Sequence, residues 1–228
     1  MKISDLRKRF ENFSLHIHRL NVAQGRIYGI VGPNGCGKTT ALKLMAGLTK
    51  PDGGGIDYEG LAPRDITMVF RKPYLLHDTV IRNLTYPLDL RGIKPDGRLI
   101  DHYLEISGLR EHSHKYAPGL SGGQQQKLSL VRALIFSPKL IFADEAFSNM
   151  DIESVAFFEN YILNRQKSEP AAWVIVSHQL SNIRRLCDYV YFMYNGIVEV
   201  EGPTEDILLR PVNGNLKRYL QHEGIESR

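Results

Sequence analysis

Along the first 31 residues the apolar positions fall in the short-period pattern of extended chain. Phe13, Leu15 and Ile17 alternate with Ser14, His16 and His18, and Arg26–Val31 is an almost unbroken apolar run, the mark of a buried strand. A glycine-rich loop, Gly32–Gly37, follows. Lys38–Met45 then has helical composition and is closed by Gly47 and, farther on, Pro51. Gly53–Gly55 predicts a turn before a short strand at Ile56–Glu59, and Ile66–Phe70 predicts another strand.

From Lys72 to about Pro138 the pattern changes to helical periods. Val80–Arg91 and Arg98–Ser107 predict short amphipathic helices separated by Gly92, Pro95 and Gly97. Gly122–Phe136 predicts a longer helix with Leu128, Val131, Leu134 and Ile135 on one face. Strands return at Leu140–Ala143, Trp173–Ser177, Tyr189–Tyr194 and Ile197–Val200. Helices are expected at Ile152–Gln166, Leu180–Cys187 and Thr204–Leu209. Apolar strands alternating with helices imply a mostly parallel sheet covered on both faces, here with a helical lobe inserted.

Composition narrows the class. The chain has 228 residues, enough for one domain with a small lobe, and its 43% apolar and 24% charged content is that of a core-forming globular protein. Lys and Arg exceed Asp and Glu by 29 − 25, a net +4. The basic residues are scattered rather than blocked, so no nucleic-acid partner is expected, and Arg184-Arg185 reads as a solvated helix face. The longest apolar runs, Ala171–Val176 and Tyr189–Tyr194, fall far short of the roughly 20 residues a membrane span needs. No apolar signal core follows Met1, and the two cysteines, Cys36 and Cys187, make neither a disulfide framework nor a zinc site. A reducing cytosol is the compartment expected.

Three segments carry chemistry. Gly32-Pro33-Asn34-Gly35-Cys36-Gly37-Lys38-Thr39-Thr40 fits G-x-x-x-x-G-K-[ST] between a predicted strand and a predicted helix, the context of a phosphate-binding loop. Its backbone N–H groups and the helix N-terminus suit phosphate oxygens, Lys38 would reach the β- and γ-phosphates, and Thr39 would hold Mg²⁺. Leu140-Ile141-Phe142-Ala143-Asp144-Glu145 is a buried strand ending in two carboxylates. Asp144 would point toward the metal, and Glu145 toward a water attacking the γ-phosphate. Leu120-Ser121-Gly122-Gly123-Gln124 reads as a capped helix start with exposed amides, a second anion cradle. One chain has no need of a second γ-phosphate cradle, so this one is expected to serve a nucleotide bound to another subunit.

Together with Ser148-Asn149-Met150-Asp151 and Ser177-His178, in this order and spacing, these segments resemble the nucleotide-binding subunit of an ABC transporter over nearly the whole chain. The resemblance implies an α/β P-loop NTPase fold, with a RecA-like core (1–71 and 139–228), an antiparallel β lobe near the N-terminus, and a helical signature lobe (about 72–138). It implies ATP and Mg²⁺ as cofactors, and a head-to-tail dimer, of like or homologous subunits, that sandwiches two ATP molecules. Glu145 matches the catalytic base, His178 the switch histidine at the γ-phosphate, and Asp151 the segment that crosses the dimer interface. Phe10 is the better match for the aromatic that stacks on adenine, with Phe13 the alternative. Unfused chains of this size, ending soon after Gly202-Pro203-Thr204-Glu205, are similar to those of prokaryotic importers fed by an extracytoplasmic solute-binding protein. The expected partners are therefore integral membrane permease subunits, and the expected place is the cytoplasmic face of the membrane. An exporter subunit is the alternative within the class; a non-transport or low-turnover regulatory ATPase lies outside it.

One position departs from the family pattern. Strand Ile66–Phe70 should lead into Gln, and the sequence has Arg71, whose guanidinium donates but cannot coordinate Mg²⁺. It could pair with a phosphate oxygen instead; altered metal handling or slower hydrolysis is the expectation. Two further features carry less. His16/His18 and His112/His114 are i, i+2 pairs that could bind a metal, but the sequence places no third ligand. Cys36 sits in the phosphate loop, with nothing to mark it as a nucleophile.

Overall fold

The computed structural model describes residues 1–224. Among them nine strands form one curled sheet: β1 (Lys2–Arg9), β2 (Ser14–Asn21), β3 (Ile27–Val31), β4 (Gly53–Asp57), β5 (Ile66–Val69), β6 (Leu140–Asp144), β7 (Ala172–Val176), β8 (Tyr189–Tyr194) and β9 (Ile197–Pro203). Their order is β4-β1-β2-β9-β8-β3-β7-β6-β5. From β8 to β5 the strands run parallel, while β4, β1 and β2 pair antiparallel. A single parallel bridge, His16 to Ile197, joins the antiparallel part to β9.

Strand parity sorts the core into two layers, because successive side chains point to opposite faces. In β6, Leu140 and Phe142 face one apolar cluster, together with Val174 of β7, Ile30 of β3, and Ala41 and Leu42 of helix α1 (Lys38–Met45). Ile141 and Ala143 face the other, with Trp173, Ile175 and the remaining helices. Burying each of these large side chains contributes about 1.5–3 kcal/mol. Parity then puts Asp144, two residues beyond Phe142, on the α1 side.

Between β5 and β6 the chain leaves the sheet for α2 (Val80–Asp89), α3 (Gly97–Ile106) and α4 (Gly122–Leu134). The face read from the sequence, Leu128, Val131, Leu134 and Ile135, is buried. Ser121 caps α4 reciprocally with Gln124: each side chain accepts the other's backbone N–H, at 3.4 and 3.0 Å. After β6 come α5 (Ile152–Ser168), α6 (Leu180–Leu186), α7 (Thr204–Leu209) and α8 (Gly214–His222).

Three local expectations change. Gly53–Gly55 is not a turn but the body of β4, laid against Ser4–Arg7 of β1, and β4 ends at Asp57 rather than continuing to Glu59. The helix α8 has no counterpart in the sequence reading, although Asn213 caps it by accepting from the N–H groups of Asn215 and Leu216. No described helix is long and apolar enough to cross a membrane.

Candidate active site

The ends of β3, β6 and β7 meet the N-terminus of α1 around a cleft of about 270 Å³. Asn34, Gly35, Gly37, Lys38, Thr39, Thr40, Arg71, Asp144, Glu145 and His178 line it, so the phosphate loop and both carboxylates converge on one space. Gly32 turns the chain out of β3 where a Cβ would lie 2.0 Å from the Met193 carbonyl oxygen. The loop's carbonyls at Gly32 and Pro33 accept from the buried Lys38 ammonium at 2.6 and 2.9 Å. Cys36 is buried below; its carbonyl accepts from the Gly196 N–H at 3.1 Å, and burial pushes its thiol up.

Thr39 and Asp144 meet as parity requires. The Thr39 hydroxyl lies 3.0 Å from both Asp144 oxygens. Burial raises the Asp144 carboxyl, opposed by the Thr39 hydrogen bond and by Lys43, Arg71 and Lys38. A hydroxyl and a buried carboxylate beside a phosphate loop form an all-oxygen donor set, which suits a hard cation such as Mg²⁺.

Glu145 follows in left-handed backbone (φ 51), held by its N–H donating to the Val176 carbonyl at 2.9 Å. Its side chain is buried, and Oε1 has no hydrogen-bond partner. His178 Nε2 lies 3.3 Å from that oxygen but off the hydrogen-bonding direction. Burial first, then the neighbouring Asp144 charge, pushes the Glu145 carboxyl up to about 7, against the pull of Arg71 and Lys38. The His178 imidazole is held below its usual range by burial and by Lys38 and Arg71, so it is neutral at pH 7. A buried carboxylate with one free oxygen and a pKa near neutrality is placed to take a proton from water. Deprotonation activates such a base, so kcat/KM is expected to fall as pH drops through about 7, which a pH series of ATPase rates checks.

Not every residue singled out in the sequence is in this cleft. Phe13 lines it, its ring against Gly37, whereas Phe10 is 43% exposed with its ring 6.2 Å from that of Phe13. Ser121, Gly122, Gly123 and Gln124 stand elsewhere, at the start of α4, with Gly123 against the Asn149 carbonyl. Asp151 caps α5 by accepting from Ser154, 3.6 Å from the Lys127 ammonium of α4, and these hydrogen bonds hold its carboxyl down at about 2.

Arg71 does line the cleft, and the segment behind it is stitched to the helices by residues the sequence reading passed over. Gln126 donates to the Phe70 carbonyl, Arg132 to the Tyr74 carbonyl at 2.6 Å, and the buried Asn83 accepts from the Leu76 N–H at 2.7 Å. For Asn83 the signal in the sequence is a polar residue on a face with Val80 and Pro87, whereas Gln126, in the run Gly122-Gly123-Gln124-Gln125-Gln126-Lys127, carries none.

Comparison with known proteins supplies the family. Residues 15–148 match the ABC transporter family. The chain is 36% identical over 208 residues to the tungstate uptake system ATP-binding protein TupC of Peptoclostridium acidaminophilum, covering 88% of this chain and 97% of that one. It is 33% identical over 226 residues to the methionine import ATP-binding protein MetN 2 of Pseudomonas syringae pv. tomato, covering 92% and 68%. Its fold superposes on the ATP-binding subunit of an ABC transporter with a TM-score of 0.86 at 23% identity, over 98% of both chains. A dimeric ATP-binding cassette in a post-hydrolysis state, bound to ADP and phosphate, gives 0.78 at 24% identity over 89% of this chain and 98% of the other. With its phosphate loop, paired carboxylates and signature helix in one α/β P-loop NTPase fold, the chain belongs to the ABC transporter family, as one of its ATP-hydrolysing subunits.

Proposed function

We propose that this chain is the ATPase motor of an importer, working as a head-to-tail pair, with a copy of itself or a homologous subunit, beneath separate integral membrane permease subunits. The observation that carries the reading is the split of the machinery. Lys38, Thr39, Asp144, Glu145 and His178 share one cleft, while the capped amides of Ser121–Gln124 lie outside it. A two-fold pair brings each signature helix to the other chain's cleft and completes both sites together. Import is favoured over export or a regulatory role because the relatives are named as uptake and import systems. In the same reading the pair sits at the cytoplasmic face, and an extracytoplasmic solute-binding protein delivers the cargo.

Within the cleft, the backbone N–H groups of Asn34, Gly35 and Gly37 to Thr40, which line it, and the Lys38 ammonium hold the phosphates, and Phe13 or Phe10 packs on the adenine. Thr39 and Asp144 would hold Mg²⁺, which when bound neutralises phosphate charge. Glu145 accepts the proton of the attacking water, and neutral His178 donates toward the γ-phosphate. Asp151 and the Asn149 carbonyl link the signature helix to the segment that follows Glu145. The segment from Arg71 to Leu76, tied to α2 and α4, runs from the cleft to the 68% exposed Tyr74 and offers a route for motion to the permease.

The test uses the assembled transporter, isolated through whatever membrane chain co-purifies with this subunit. Its Mg²⁺-ATPase should rise on assembly, and an isolated chain that turns over equally fast without a membrane partner would overturn the motor reading. In that preparation Arg71→Gln removes a cation that opposes Mg²⁺ and lowers both carboxyls. The Mg²⁺ concentration for half-maximal rate is expected to fall severalfold, and the acid limb of the pH profile to move to higher pH. Unchanged turnover and Mg²⁺ dependence would show that Arg71 takes no part.

A further inference from the structure

The antiparallel end of the sheet carries a side-chain cluster that the nucleotide chemistry does not use. β2 sets His16 and His18 two residues apart with their rings 4.5 Å apart, centroid to centroid. On β1 the apolar spacing stretches from two to three between Ile3 and Leu6, both buried. Asp5 is the residue at the resulting bulge, in left-handed backbone (φ 54), where the pairing of β1 with β4 shifts register. Ser4 pairs with Arg19 and Leu6 with Ile17, so Asp5 falls opposite His18.

The bulge aims the carboxylate at both imidazoles. Asp5 Oδ1 is 2.6 Å from His16 Nε2 and 3.7 Å from His18 Nδ1. One ligand atom from each of the three residues lies within 4.8 Å of the other two. Arg7 pairs with Oδ2 at 2.6 Å, with its Nε 3.3 Å from Oδ1, and so holds the carboxylate plane in place. Donors bound to one zinc at about 2.0–2.2 Å stand roughly 3.4 Å apart in a tetrahedral site, and the two separations here bracket that value. An exposed polar network alone returns little stability for a strained non-glycine backbone. His18 is 86% exposed in its side chain, which leaves an open path and a position for water.

We propose that Asp5, His16 and His18 form a binding site for a divalent transition-metal ion of the zinc class, separate from the Thr39–Asp144 position. Two imidazoles and one carboxylate suit zinc, cobalt or nickel, whereas Mg²⁺ prefers oxygen throughout. Bound metal would pin the β1 bulge to β2, the strand whose Leu15 and preceding Phe13 pack on the phosphate loop at Gly37.

The test titrates Zn²⁺ into the full chain against a chromophoric chelator, without nucleotide and with Mg²⁺ in excess, and repeats it with Co²⁺ read by visible absorption. One equivalent should bind. His16→Gln, His18→Gln and Asp5→Asn should each weaken Zn²⁺ binding by at least about tenfold, since even outer-shell partners of a bound metal count on that scale. Asp5→Asn keeps a residue tolerant of left-handed backbone, so an unchanged Tm in chelator certifies the fold. A parent that holds Zn²⁺ no more tightly than the His16→Gln/His18→Gln double variant would overturn the site. So would variants that lower Tm in chelator but leave Zn²⁺ affinity alone.

Discussion

A Glu145→Gln chain is expected to bind Mg²⁺-ATP as the parent does while its turnover falls by about 10²–10⁴-fold, the share a positioned general base supplies. The substitution preserves shape in a buried site, where Oε1 already lacks a hydrogen-bond partner, so binding groups are undisturbed. In the proposed mechanism, what it removes is the acceptor for the water's proton. With hydrolysis blocked and both clefts filled, the ATP-bound pair should accumulate as a dimer on gel filtration. A second readout follows from linkage. The parent's Glu145 carboxyl is raised to about 7 in the fold, so the folded chain holds that proton more tightly than the unfolded chain. The associated stability is present at acid pH and lost as pH rises through about 7. Glutamine has no such slope, so its Tm advantage over the parent should open between pH 4.5 and 7 and then level off. A variant that turns over within a fewfold of the parent would remove Glu145 from the base position.

The periodicity of the chain disclosed the mostly parallel sheet and both its covered faces, and the apolar run ending in Asp144 disclosed that this carboxylate leaves the sheet at a strand end, because both are local properties. The phosphate loop was legible for the same reason: strand, glycines, Lys and Thr are contiguous. Other features depend on geometry that no window of sequence contains. Phe10 and Phe13 are three residues apart across a tight bend, where the Phe10 N–H donates to the Phe13 carbonyl at 2.7 Å. Which ring meets the cleft is set by that bend. Gly53–Gly55 has turn composition but becomes strand because β1 supplies a long-range partner. The extra residue between Ile3 and Leu6 could have been read as a bulge. That its carboxylate crosses to His16 and His18 follows only from the backbone angle of Asp5. α8 was hidden by Pro211 and the Asn213-Gly214-Asn215 opening, although Leu216, Tyr219 and Leu220 keep helical spacing behind the Asn213 cap.

The same logic separates two glycines of one motif. In Gly32→Ala the new Cβ would stand 2.0 Å from the Met193 carbonyl oxygen and 3.0 Å from the Cys36 sulfur, with φ at +148. The carbonyl belongs to β8, which pairs with β3 at Phe192 and Val31, so neither side can yield without opening the sheet beside the loop. Loss of ATP binding is expected, together with a destabilisation of roughly 3 kcal/mol or more, the sum of backbone strain and overpacking. Gly35→Ala meets nothing within 4 Å. At φ +79 it carries only the left-handed penalty, about 1–2 kcal/mol, and should keep measurable ATP affinity. Thermal melts and a fluorescent-nucleotide titration on the pair decide the matter. Equal losses in both variants would mean that glycine's backbone freedom, rather than the approach of β8 to Gly32, shapes the phosphate loop.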